Sequence, residues 1–464
     1  MGGPGILLLN IGFDDVDFRG GGCTTHFAGL LLHTLARRGG YTLADYPILA
    51  RLNPGIPWKT RGNAAVVLRL WARGEDEALD AVETALQLMW DYTGGRPSEA
   101  GKGPGMAVLV GDPYRPRLES LYKRALAGVL DRESAAGAVE KEGGRVYGGR
   151  GIIGAAASLA ALGPAEDYTW ELVAYRRPEA WGAARCVDWE AAVKVESTLP
   201  PCTFNNIDMA EGRVAAAPAG PDPVLAGFRG DCPHLLPRYS EALCEEPHFW
   251  VLYRSNQHTD APRGLERRIY PYSYVTVEAE VLGTPQTLPG GHVVVRASTG
   301  EGEADLVFYR EASPLNRVAR LLAPGDSVEA MGSVRPYRPR GLWTVAVDKL
   351  VVRRLAPVYE RHSPLCPRCG ARMESAGRGR GYRCPRCGYA SREARPLETP
   401  VPRALQPGVY TPREGRLRHL TAPPGRRPAG RRPPRPMKLE WAFSPGPSPP
   451  EPPGGVGESF SLQP

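Results

Sequence analysis

The chain has 464 residues, with 58 Lys and Arg against 50 Asp and Glu, for a formal net charge of +8. That length allows roughly three or four domains, each able to bury its own core, and the basic balance favours a polyanionic partner. No apolar run reaches transmembrane length and the opening GGPGILLLNIGFDD has no basic, signal-like region. Of the nine cysteines four are clustered and the rest scattered, which argues against a secreted disulfide framework, so a cytoplasmic protein is expected.

GILLLNI reads as a short buried strand, and THFAGLLLHTLARR, with apolar residues at helical spacing and a basic end, as a helix. Between them lies IGFDDVDFRGGGCTT. Asp14, Asp15 and Asp17 repel one another unless a cation sits among them, and Mg2+ favours one or two carboxylates with phosphate oxygens. Gly20, Gly21 and Gly22 allow backbone N–H groups close to a phosphate, and Thr24 or Thr25 can cap the following helix, whose N-terminus attracts anions. The chemistry points to a Mg-nucleotide site; the alternative is a solvated acidic turn. YPILARLNPGIPWKTRGNAA follows, a loop whose Trp58, Lys59 and Arg61 can meet phosphates or a base, or simply cross the surface. DEALDAVETALQLMWDY predicts an amphipathic helix and MAVLVG a buried strand, so the region to about Arg145 reads as α/β. In YGGRGIIGAAASLAAL, Gly148, Gly149, Gly151 and Gly154 open a helix without completing a dinucleotide fingerprint.

From Tyr168 to about Asp260, TWELVAYRR, PDPVLAGFRGD and FWVLYRSNQHTD predict a strand-rich α+β layer. From Arg268 to Arg354, five alternating segments (SYVTVEAEVLG, HVVVRAST, ADLVFYR, DSVEAMGSV and LWTVAVDKLVV) predict a small barrel of a kind that grips single-stranded nucleic acid or only its neighbours. Two identical CPRCG knuckles then place Cys366, Cys369, Cys384 and Cys387 at the spacing of a closed four-thiolate zinc site, structural rather than catalytic. Arg368 and Arg386 inside the knuckles would face phosphates. Residues 403 to 438 hold ten basic residues, Arg416 and Arg418 among them, against the single acid Glu414, the pattern of an RNA-binding or solvated segment. The Pro/Gly/Ser-rich end should be disordered.

The ordered motifs IGFDDVD with GGCTTHFA, RLNPGIPWKTRGNAA, YGGRGIIGA, TWELVAYR, DPVLAGFRG, RSNQHTD, PGGHV and the two CPRCG knuckles resemble the archaeal tRNA 2-agmatinylcytidine synthetases over roughly residues 5 to 425. The resemblance implies a multidomain α+β chain: a kinase-like α/β domain over 1–147, a ferredoxin-like domain over 148–264, an OB-fold over 265–355 and a zinc ribbon with basic extension over 356–425; the Pro/Arg-rich tail over 426–464 lies beyond it and is expected to be disordered from its composition. It implies an ATP-dependent carbon–nitrogen ligase that attaches agmatine to ring position 2 of the wobble cytidine of the minor, AUA-reading isoleucine tRNA, with Mg2+ and a structural Zn2+ and no obligate protein partner.

Position by position, the resemblance assigns Mg-ATP and phosphoryl transfer to Asp14, Asp15 and Asp17, and autophosphorylation to Thr24. Gly20, Gly21, Gly22, Thr25, Lys59 and Arg61 are the candidate phosphate contacts. Val16 and Phe18 stand where the family usually has Thr and Ser, and Ser255, His258 and Pro262 where it has Thr, Gly and His. The chemistry is consistent with the assignment: replacing a ring carbonyl oxygen by an amine requires making that oxygen a leaving group, which ATP does by phosphorylation, on a base taken out of its stack. Agmatine is doubly cationic, so Asp208, Asp222 and Asp260 are its candidate partners. Two rival readings are a non-catalytic OB-fold and zinc-ribbon RNA-binding protein and a Mg-dependent nuclease or phosphatase on the aspartate cluster.

Overall fold

A computed structural model of the chain describes residues 5–17, 21–59, 62–94, 103–199, 201–428 and 442–448. The expectations for Phe18, Gly20 and Arg61 lie outside the described residues.

The predicted strands and helices form where the patterns place them, but the stretch 46–65 read as a loop also holds a strand over Ile48–Arg51 and the start of another at Ala64, both apolar enough to be buried in the sheet. The first region contains β1 (Ile6–Asp14), α1 (Thr24–Arg38), β2 (Thr42–Leu43), β3 (Ile48–Arg51), β4 (Ala64–Arg73), α2 (Glu75–Thr93), β5 (Gly105–Val110), α3 (Pro116–Ala127), α4 (Arg132–Glu140), β6 (Arg145–Gly148) and α5 (Ile152–Ser158). The second contains β7 (Thr169–Tyr175), α6 (Trp189–Thr198), β8 (Ile207–Asp208), β9 (Arg213–Val214), β10 (Val224–Gly230) and β11 (Phe249–Ser255). Both regions contribute to one sheet, in the order β10-β7-β11-β3-β4-β1-β5-β6, joined by the parallel pairing of β11 with β3 (Arg254 opposite Ile48). All other neighbours along that path are antiparallel.

The period of two along each strand divides the core. Leu9, Ile11 and Phe13 of β1 and Val66 and Leu68 of β4 face α1 and α2, where Leu31, Leu35 and Met89 pack on them. Ala65 and Val67 of β4 and Ala107 and Leu109 of β5 face the opposite way, onto Leu118, Leu121, Val139 and Ala155 of α3, α4 and α5. Helix α5 lies directly on β1: a Cβ on Gly12 would meet the Ala155 carbonyl oxygen at 2.4 Å, and one on Gly105 would meet the Ile152 nitrogen at 1.9 Å. Side chains at these positions would push α5 off the sheet.

The third region forms β12 (Tyr274–Val281), β13 (Gln286–Thr287), β14 (Val293–Thr299), β15 (Gly302–Phe308), β16 (Ser327–Arg335) and β17 (Trp343–Arg354). The order β12-β16-β17-β15-β14 closes through a β14–β12 pairing, so the five predicted segments make a barrel filled by Val275, Val295, Leu306, Phe308 and Val345. The zinc ribbon leaves and returns through the paired strands Tyr359–His362 and Leu397–Pro400, and the chain then rejoins the barrel where Gly408–Tyr410 pairs with β17.

Residues 411–428 lace the barrel to the central sheet as a strap, which corrects the reading of this basic segment as facing a single acid. Its cations are paired with acids distant in sequence: Arg413 Nε with Asp208 Oδ1 at 3.1 Å, Arg416 with Glu211 at 2.5 Å, Arg418 with Asp348 at 3.4 Å, and Arg426 with Asp167 at 2.6 Å and Asp231 at 2.8 Å. Just before the strap, Arg403 pairs with Asp326 at 2.7 Å. Beyond it, within the segment expected to be disordered, Phe443–Pro445 adds a strand to β11. The scattered cysteines also differ from expectation: Cys186 is bonded to Cys244 and Cys202 to Cys232, with Cα separations of 5.3 and 5.8 Å. Both bridges brace the second region.

Candidate active site and metal centre

β1, an interior strand, carries the acidic motif to its C-terminal end and then turns sharply, with Asp15 in the left-handed conformation (φ 59°), uncommon for a residue with a side chain. Asp15 N–H donates to Asp14 Oδ1 at 2.7 Å, and Val16, fully buried, anchors the turn in the core. Thr24 does not cap α1. Cys23 is the N-cap residue, without a side-chain cap, and Thr24 Oγ1 accepts instead from Val16 N–H at 3.1 Å, tying the helix start to the acidic turn. Below it, Tyr253 Oη donates to the Thr25 carbonyl at 2.7 Å and Cys23 N–H donates to Tyr92 Oη at 3.0 Å.

The turn separates two cavities. The smaller, about 160 Å3, is lined by Asp14, Asp15, Lys59 and Arg150 together with Ile56, Trp58, Leu130, Gly151 and Gly154. Burial, reinforced by the Asp15 and Asp17 charges, pushes the Asp14 carboxyl well above the usual carboxylate range. A cation placed there would relieve both effects, so the donor set fits Mg2+ bound with a phosphate. Gly154 is seated against that carboxylate: a Cβ there would lie 1.9 Å from Asp14 Oδ2. Arg150 reaches Asp15 Oδ2 at 3.4 Å and the Trp58 carbonyl at 2.7 Å, and Lys59 Nζ donates to the Pro54 and Ile56 carbonyls, both at 2.8 Å. The predicted loop therefore folds over the acidic turn.

The larger cavity, about 310 Å3, is lined by Asp17, Thr24 and Thr25 from the turn and α1, by Arg51 and Glu171, and by Asp222, Arg229 and His419. Glu171 Oε2 accepts from Arg51 at 3.3 Å and its Oε1 from Arg229 Nε at 3.2 Å, a charged floor buried between β3, β7 and β10. Of the three acids expected to meet agmatine, only Asp222 lines this cavity, beside Arg185 at 3.4 Å. Asp208 is held by Arg413, and Asp260 by Lys349 and the Ala422 N–H. Gly21 packs against Trp181, where a Cβ would come within 3.0 Å of the ring, and Gly21 and Gly22 line neither cavity. His258 is fully buried, with Nδ1 2.9 Å from the Thr421 carbonyl and Nε2 3.1 Å from Asn205, so it fastens the strap. Its φ of 58° is a left-handed conformation that residues with side chains seldom adopt. Ser255 Oγ donates to the Leu49 carbonyl, within the β11–β3 seam.

Sequence reasoning missed Arg51, Glu171, Arg229, Gln257 and His419. A signal was present for three of them, since Glu171 in TWELVAY and Arg229 in VLAGFRG are charges inside apolar strands, and Gln257 follows one.

In the ribbon, Gly370 and Gly388, at φ 71° and 74°, close the knuckles by donating to the Cys366 and Cys384 carbonyls at 2.9 and 3.0 Å. The four Sγ atoms lie within 4.8 Å of one another, with Cys366–Cys387 and Cys369–Cys384 at 3.5 and 3.4 Å. Four converging thiols with no further ligand position fit a tetrahedral structural Zn2+. Arg368 and Arg386 are exposed, Arg368 over the Tyr389 ring at 4.9 Å. Among the described residues no helix is long and apolar enough to cross a membrane.

Family models described as the TiaS TCKD domain, the TiaS FLD domain and the TiaS C-terminal zinc ribbon domain match residues 10–100, 149–262 and 363–405. The isoleucine-tRNA 2-agmatinylcytidine synthetase TiaS of Acidilobus saccharovorans is 49% identical over 416 residues, covering 89% of this chain and 93% of that protein. Its counterpart from Ignisphaera aggregans is 36% identical over 435 residues, with 90% and 93% covered. Among solved structures, a complex of TiaS with its isoleucine tRNA and ATP superposes with a TM-score of 0.79 at 31% identity over 92% of this chain and 99% of that one. A complex of TiaS with the same tRNA, AMPCPP and agmatine gives 0.75 at 28% identity over 90% and 96%. Likeness at this level along nearly the whole length, with three TiaS domain models matched in chain order, places the chain in the isoleucine-tRNA 2-agmatinylcytidine synthetase family.

Proposed function

We propose that this chain, as a cytoplasmic enzyme, uses ATP to attach agmatine to ring position 2 of the wobble cytidine of the minor isoleucine tRNA, so that AUA is read as isoleucine. The observation that carries the reading is the acidic turn standing between two cavities, with Asp14 and Asp15 in one and Asp17 and Thr24 in the other. Mg-ATP occupies the smaller cavity, its metal held by Asp14 and Asp15 and its phosphates met by Lys59 and Arg150; the apolar Ile56 and Leu130 walls suit a base. Cytidine and agmatine share the larger cavity, with Asp222 and Asp17 facing the amine's cations. Phosphorylation of the cytidine O2 makes it a leaving group. The agmatine amine, having given up one proton to free its lone pair, bonds to C2, phosphate departs with the C2–O2 bond pair, and the nitrogen loses a second proton.

The domain reading follows the same lines. A kinase-like domain over 1–147 and a ferredoxin-like domain over 148–264 are supported by the family matches, and an OB-fold over 265–355 by the barrel's strand order with β15 parallel to β17. The exposed Arg368 and Arg386 of the ribbon, with the half-paired Arg416 and Arg418, contact the tRNA backbone. Transfer of labelled agmatine to a transcript of this tRNA tests the function: it should require ATP and Mg2+ and leave the transcript full length. ATP-independent shortening of the RNA would instead identify a nuclease, and binding without transfer a carrier.

A further inference from the structure

Arg51 ends β3 and His419 arrives on the strap, and Gln257 joins them. Its Oε1 accepts from Arg51 Nε at 2.9 Å and lies 3.0 Å from His419 Nδ1. A guanidinium has no acceptor, so the amide oxygen must be the atom that faces Arg51. An oxygen facing His419 Nδ1 requires that this nitrogen carry the proton. Burial, followed by the charges of Arg51 and Arg229, holds the imidazole pKa well below its ordinary value, so the ring is neutral and Nε2 is a bare acceptor. Among the described residues neither His419 Nε2 nor Arg51 Nη1 makes a hydrogen bond. Both face Gly62, where a Cβ would lie 2.8 Å from each, so glycine leaves the two nitrogens with no side chain across them. Arg51, Gly62 and His419 all line the larger cavity.

A donor beside an acceptor is complementary to an acceptor beside a donor. Cytosine presents that pair on adjacent atoms, N3 accepting and the N4 amino group donating; uracil reverses both, with N3–H and O4. We infer that Arg51 Nη1 and His419 Nε2 read the N3 and N4 positions of the substrate base, making His419 a specificity-determining residue that selects cytidine over uridine. The inference rests on the reading of the larger cavity as the substrate site. Gln257 sets the selectivity indirectly, by fixing the tautomer of His419 and the rotation of Arg51, and is a positioning residue.

The test is a cycle of two enzymes and two substrates. Agmatine transfer is measured for wild type and His419→Phe on tRNA carrying either cytidine or 2-pyrimidinone riboside, the same ring without the amino group, at the wobble position. Intrinsic reactivity of the analogue cancels in the ratio of ratios. The wild type should prefer cytidine in kcat/KM by about tenfold to a hundredfold more than His419→Phe does, as expected for one lost base-edge contact. An unchanged preference in the variant would overturn the assignment. Self-labelling by γ-labelled ATP reports an intact nucleotide site; if His419→Phe lacks it, His419→Leu, which likewise has no acceptor, is judged by the same ratio. Absence of transfer by the wild type to cytidine tRNA would refute the functional reading itself, a result distinct from transfer with an unaltered preference.

Discussion

A negative charge on Asp14, buried next to those of Asp15 and Asp17, is costly unless a cation completes the arrangement, and this cost is what holds its carboxyl well above the usual carboxylate range. Asp14→Asn should therefore reduce agmatine transfer by on the order of a hundredfold or more, as when electrostatic support of a transferring phosphoryl group is lost. tRNA affinity, measured by filter binding, should stay within a fewfold. Gly154→Ala provides a test that leaves the charge in place: the added methyl overlaps the Asp14 carboxylate and must displace it, so transfer should fall steeply while the zinc content is unchanged. Retained activity in both variants would mean that the turn is only structural. Thr24→Ala should abolish self-labelling by γ-labelled ATP, and product formation in the same variant tells whether that label lies on the reaction path. The acidic turn was legible because its residues are neighbours in sequence. Arg51, Glu171 and His419 were not, because three separate elements bring them together only when the sheet closes and the strap lies down.

The ribbon, the disulfides and the strap act as separate clamps. The purified chain should bind about one zinc, and Cys384→Ser or chelation should unfold the ribbon and weaken tRNA binding while ATP-dependent self-labelling persists. Loss of labelling as well would show that the ribbon supports the central sheet. Cys202–Cys232 closes the loop that carries Ala216, Asp222 and Arg229 into the larger cavity. By loop entropy each bridge contributes about 2–4 kcal/mol, so a reductant should lower Tm by several degrees in calorimetry. Spacing made the zinc site readable, whereas nothing local pairs cysteines 30 and 58 residues apart. The strap's ion pairs were likewise invisible to composition, which counted cations along the segment while their acids lay elsewhere. The carboxyl of Glu211 is held down to about 2, first by Arg416 and then by Arg213. A depressed carboxylate contributes stability above its unfolded value and loses it on protonation, so proteolytic cutting of the strap should rise as pH falls from about 4.5 toward about 2.

Across the whole molecule, the sheet that runs from β10 to β6 makes the first two regions one support for both cavities, while the barrel and the ribbon extend from it on the strap and the paired stalk strands. Period placed the long strands of the second region and the barrel, but β3 and the start of β4 fell in the stretch read as a loop, and nothing signalled that β11 would pair with β3, because parallel partners are chosen by distant packing. The proposed division of labour fits this layout: chemistry at the sheet and RNA affinity in the outlying parts. Since several of the strap's arginines already serve intramolecular acids, substituting Arg426 with Gln should loosen the strap without changing the slope of log affinity for tRNA against log salt, whereas substituting Arg368 and Arg386 together should flatten it by about two counterions. The most direct test of the central claim is a mass spectrum of the wobble nucleoside after the tRNA has been incubated with this protein, ATP and agmatine. The account predicts cytidine converted to its 2-agmatinyl form, dependent on ATP and lost in Asp14→Asn; unmodified cytidine with the wild-type protein, at full tRNA occupancy, would contradict it.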